Sequence, residues 1–128
     1  MARPKAKELT ERELEIMHIF WANDELTAHQ VRENLESEGR ELAYTTVATL
    51  VKILVEKGYV EQTTHVRPFS FRAIRTFDEV SKNLVGDLID KVFGGSREQL
   101  LIQLMGQKKL TRKERETIQR MLEGKGKK

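Results

Sequence analysis

The chain has 128 residues, 38% of them hydrophobic and 34% charged, with two prolines, no cysteine and a formal net charge of +3. That length suits one compact domain or a small domain with an appendage, and the lack of cysteine excludes a disulfide framework, thiol catalysis and thiolate metal sites. No apolar run approaches the ~20 residues that span a bilayer, and the polar opening MARPKAKELT does not read as a secretory signal, so the expected location is the cytoplasm.

Capping chemistry marks five helix starts, because a Ser or Thr followed three residues later by Glu or Gln lets each side chain satisfy a free backbone donor. The pairs are Thr10/Glu13, Thr27/Gln30, Thr76/Glu79, Ser96/Gln99 and Thr111/Glu114. The first two carry hydrophobic staples, Leu9 with Leu14 and Leu26 with Val31. The first helix is expected from about Glu11 to Ala22, burying Leu14, Ile16, Met17, Phe20 and Trp21. A second, from about Ala28 to Glu38, turns Val31 and Leu35 inward and stops near Gly39. A third, from about Ala43 to Lys57, lines up Val47, Leu50, Val51 and Leu54 at helical spacing, with Gly58 as its C-terminal cap.

The period then changes from 3.6 to 2. Tyr59–Thr64 and Phe69–Ile74 read as two short strands, rich in aromatic and β-branched residues, around a tip at His65-Val66-Arg67-Pro68. Three further helices follow: Phe77 to Phe93, ending at Gly94-Gly95, then Arg97 to Met105 and Arg112 to Glu123. The fold class is therefore mainly α: a winged helix-turn-helix of three helices and a hairpin over residues 1–75, and a helical region over 76–128. The second region is too small to build a comfortable core alone. Its apolar positions Val80, Leu84, Leu88, Val92, Leu101, Leu104 and Met105 are expected to pack on a second copy in a homodimer; folding back onto the first segment is the alternative.

Helix three has two unlike faces. Opposite its core stripe stand Tyr44, Thr45, Thr46, Thr49 and Lys52, with no acid before Glu56. Short hydroxyls and a cation suit a helix entering the major groove of double-stranded DNA: Thr oxygens meet phosphates or base edges, Thr methyls meet thymine methyls, and Lys meets phosphate or guanine. The hairpin offers Arg67 at its tip and Arg72 along its strand, while Arg3, Lys5 and Lys7 form a candidate basic arm. The blander reading is a merely solvated threonine face, with Tyr44 used for packing. Charge distribution adds a competing idea: residues 8–41 hold ten acids against three bases, whereas 42–75 and 76–128 are net basic. An acidic face can dock a basic protein partner, so a winged-helix interaction module that does not read DNA is the alternative function.

The segments LTERELEIMHIFW, LTAHQV, AYTTVATLVKILVEKGYV and FGGS resemble the penicillinase-repressor family of winged-helix transcriptional regulators, which includes the β-lactamase, methicillin-resistance and copper-responsive repressors. The likeness covers about residues 8–123 and is most specific at AYTTV, Leu50, Leu54 and Lys57-Gly58-Tyr59, with Val51 where the family more often has leucine. It implies a C-terminal dimerisation region, repression at palindromic operators, and a recognition helix that opens at Ala43–Thr46. It also implies, for many members, release when a membrane sensor triggers proteolysis. Two departures stand out. The cysteines of the copper-responsive branch are missing, and Gln103-Leu104 occupies the place where cleaved members carry an Asn-Phe pair.

Nothing in the sequence suggests an enzyme, a cofactor or a metal site. His18, His29 and His65 share no ligand spacing, and Asp87 and Asp90 lack a partnering base and read as a polar helix face. Gly94-Gly95 sits at a helix end and serves as a cap and hinge rather than a phosphate loop.

Overall fold

A computed structural model describes residues 8–107 and 109–123, the side chains of 121–123 excepted, so the basic-arm candidates Arg3, Lys5 and Lys7 lie outside the described residues. The order is α1 (Glu11–Ala22), β1 (Leu26–Thr27), α2 (Ala28–Ser37), α3 (Tyr44–Lys57), β2 (Val60–Gln62), β3 (Ser70–Ala73), α4 (Phe77–Val92), α5 (Arg97–Met105) and α6 (Arg112–Glu123). The chain divides into two compact units after Val80, within α4.

In the first unit the capping boxes form as their chemistry demands. Thr10 Oγ1 accepts from the Glu13 N–H at 3.2 Å while Glu13 Oε1 accepts from the Thr10 N–H at 3.0 Å; Thr27 and Gln30 repeat the exchange at 3.2 and 2.8 Å. The core packs Ile16, Met17 and Phe20 of α1 against Val31 and Leu35 of α2 and Val47, Val51 and Leu54 of α3, each at most 2% exposed. Leu50 and Trp21, expected inside, are only partly buried and pack against this cluster's edge. Helix α3 stops where Gly58 takes φ +88°, and the Tyr59 N–H then bonds back to the Leu54 carbonyl at 3.0 Å.

The wing is part of a three-stranded antiparallel sheet, order β1-β3-β2, rather than a bare hairpin. Leu26 and Thr27 pair with Phe71 and Ser70, on the opposite edge of β3 from β2. Sequence reading assigns those two residues to a staple and a cap. A strand of two residues has no period of its own and exists only through its partner.

Val80 is a correction to the expected dimer face. It is buried in the first unit's core with Ile16, Leu54 and Val60, so the opening turn of α4 completes the winged helix. Nearby, the Trp21 indole N–H donates to the Arg75 carbonyl at 2.9 Å, and the Trp21 and Phe77 rings meet edge-on at 5.3 Å.

The second unit is built of short amphipathic pieces. Ser96 caps α5 through the Gln99 N–H, and Thr111 and Glu114 form a capping box at α6. Arg115 of α6 reaches back to the carbonyls of Met105 and Gln107 at 2.8 and 3.3 Å, fixing the α5–α6 turn. Among this unit's described side chains only Ile118 is buried, while Leu84 and Leu88 are each 41% exposed and Val92 is 65% exposed. Leu101 and Leu104 line an apolar hollow of about 370 Å³ against Thr117 and Ile118.

Candidate nucleic-acid interface

Helix α3 projects Thr45, Thr46, Thr49 and Lys52 to solvent while Val47, Val51 and Leu54 anchor its other side. Residues three and four apart share a helical face, so these four side chains form one hydroxyl-and-ammonium strip about two turns long. Its length and side-chain chemistry suit a major groove. No side-chain cap closes the N-terminus of α3 at Ala43, and no acid stands in its first turn. Its free N–H groups and positive dipole end therefore favour a phosphate there.

Tyr44 has a second role. Its ring stacks on that of His29 at 4.2 Å and 21°, joining the first turns of α2 and α3, while the residue stays 38% exposed. Sequence reading missed His29 as a member of this region, because isolated His residues with no ligand spacing carry no signal. The stack depends on helix packing alone.

The wing sorts its two arginines onto different faces. Arg67, Pro68 and Phe69 of the tip and Phe71 of β3 border the groove beside α3. The Arg67 guanidinium lies over the Phe69 ring at 5.2 Å. Arg72 falls on the other face, where its Nε donates to Glu61 at 2.8 Å. The expected contact at Arg72 is thus an ion pair across β2 and β3, in the register Glu61↔Arg72, and stands apart from the α3 side. Between α3 and the wing runs a half-open groove of about 680 Å³, reached by Tyr44, Lys52 and Arg67 together.

Glu13 and Lys57 hold the platform beneath. Glu13 is 3% exposed and accepts from Lys57 Nζ at 2.7 Å, and the same ammonium donates to the Glu8 carbonyl at 2.9 Å. Burial pushes the Glu13 carboxyl upward, but the hydrogen bonds from Lys57 and Thr10 and the Lys57 charge outweigh it and hold it below its ordinary value. The start of α1 is thereby tied to the end of α3.

Comparison with known proteins shows the family. The family profile described as "Penicillinase repressor" matches residues 9–124. The methicillin resistance regulatory protein MecI of Mammaliicoccus sciuri is 22% identical over 118 residues, covering 92% of this chain and 95% of that protein. The transcriptional regulator BlaI of Mycobacterium tuberculosis is 32% identical over 100 residues, covering 77% of this chain and 72% of its own. Among solved structures, RosR of H. salinarum superposes with a TM-score of 0.54 at 18% identity over 94% of this chain and 96% of its own, a likeness of fold alone. With the profile spanning both units, from Leu9 before α1 to the residue after α6, the chain belongs to the penicillinase repressor family.

Proposed function

We propose that this protein is a transcriptional repressor that binds double-stranded operator DNA in the cytoplasm as a homodimer, with α3 in the major groove and the wing beside the adjacent backbone. The observation that carries the reading is the strip of Thr45, Thr46, Thr49 and Lys52, exposed on a helix whose opposite face is fully buried. Arg67 at the wing supplies a phosphate contact on the same side. Two copies related by a two-fold axis place two such strips on an inverted repeat, with half-sites about one helical turn, ~34 Å, or a multiple of it apart.

The apolar side chains left exposed by the second unit support the dimer. Leu84, Leu88, Val92 and Ile102 stand at least 40% exposed in a unit where only Ile118 is buried among the described side chains, and a second copy would cover them. Gln103-Leu104, inside α5, stands where cleaved members carry Asn-Phe, and that departure argues against release by a membrane-borne sensor protease.

The alternative of an acidic docking face has the family match against it. Internal pairing lowers its charge only slightly: Glu15–Arg40 and Glu36–Arg32 are pairs within the same stretch, and only Glu13 draws a cation, Lys57, from outside it. Selection of bound sites from a random duplex pool, followed by footprinting, tests the proposal. The expected winner is an inverted repeat protected on both half-sites; a pool that stays random after repeated rounds contradicts it.

A further inference from the structure

The groove between α3 and the wing has a character that DNA reading does not use. Its floor is apolar, made by Val51 and Val55 of α3 and by Phe69 and Phe71 of the wing, and its volume of about 680 Å³ matches a small-molecule site. The stacked rings of His29 and Tyr44 join its wall. Two cations, Lys52 and Arg67, reach it against a single acid, Glu56. Thr45, Thr46 and Thr49 do not line it, so the groove is distinct from the hydroxyl strip and shares only its basic edge.

Aromatic and aliphatic walls take a flat ring, and an ammonium beside a guanidinium takes a carboxylate. We propose that this groove binds a small aromatic carboxylate, of benzoate to naphthoate size, whose carboxylate engages Lys52 and Arg67. A ligand so placed occupies both cations and fills the space between recognition helix and wing, so it competes with DNA. The competition rests on the DNA-binding reading above; the binding site itself does not.

The test uses the full chain, isotopically labelled and free of DNA, titrated with 2-naphthoate and with 2-naphthamide, its uncharged counterpart. Naphthoate is expected to saturate and to shift resonances of residues 27–29, 44–56 and 62–71. Lys52→Ala should weaken it about tenfold while changing naphthamide binding little, as a charge-assisted contact requires. Phe71→Ala should weaken both compounds, and Arg72→Ala neither. Absence of saturable shifts, or shifts confined to residues 81–123, overturns the site. A second arm adds naphthoate to the protein on its selected operator, where release is expected at ligand concentrations that saturate the groove. DNA retained with the groove saturated overturns the competition, and groove binding by a protein that never holds an operator leaves the site standing while the repressor reading falls.

Discussion

Glu13 shows how one residue can serve two structural purposes and leave a measurable trace. Its side chain completes the α1 capping box and also receives Lys57 from the end of α3, at 3% exposure. Because its carboxyl is held below the ordinary value of 4.5, its stabilising contribution is fully present above that pH and is lost as pH falls through the lower folded value. Lys57→Met leaves a buried carboxylate without its ammonium and is expected to cost about 3 kcal/mol at neutral pH. In that variant the Lys57 hydrogen bond and charge no longer offset burial, so the share of the acid slope that Glu13 contributes shrinks. Chemical denaturation from pH 3 to 7 checks both, and parallel acid profiles for the two proteins would contradict the account. Capping, staples and the Gly58 stop were legible from single residues, since each needs only local partners. The Glu13–Lys57 pair was not, because it joins positions 44 apart in sequence.

Among the elements, α3 and the wing divide the work by periodicity. The 3.6-residue period separates the buried stripe of α3 from the hydroxyl strip, and both are legible in the amino-acid sequence. The strand period of 2 sets Arg72 opposite Phe71 but does not say which face meets α3, and Arg67, at the tip before β3, lies outside that period. Arg67 faces the helix over Phe69, while Arg72 turns away to Glu61. Arg67→Ala should therefore weaken operator binding several-fold and flatten its salt dependence by about one phosphate's worth, whereas Arg72→Ala should do neither. Fluorescence anisotropy at several salt concentrations separates them; equal losses would place Arg72 at the DNA after all. At the end of α3, Gly58 sits at φ +88° with nothing within 4 Å of where a Cβ would stand, so Gly58→Ala is expected to cost about 1 kcal/mol from backbone strain alone. Thermal unfolding of the variant reads that cost directly, and an unshifted melting temperature contradicts it.

For the whole molecule, the contrast between the two units motivates the proposed dimer. The first has a continuous core reaching from Ile16 to Val80, while the second buries only Ile118 among its described side chains and leaves Leu84, Leu88 and Val92 in water. Sequence reading saw that imbalance in the apolar positions but placed Val80 on the wrong side of it, since the α4 stripe runs unbroken through the boundary. Leu88→Lys puts a charge into the expected contact and should shift the dimer toward monomer at micromolar concentration. Sedimentation velocity showing an unchanged dimer would move the interface away from α4. Length, the cysteine-free composition and the helix–helix–wing order were enough to reach the fold. What composition and periodicity lacked were the long-range partners: β1 on β3, His29 on Tyr44, and the groove they border.

The central claim, that α3 reads operator DNA through its exposed strip, is tested most directly by titrating the selected inverted repeat with wild type and with Thr49→Ala/Lys52→Ala. Both positions are exposed, so melting should be essentially unchanged. The wild type should prefer the repeat over scrambled DNA and lose roughly 10³–10⁵-fold in affinity between about 50 and 200 mM salt if the dimer neutralises ~6–10 phosphates. The double variant should lose that preference. Unaltered operator preference in a double variant that is still folded and dimeric would contradict the account.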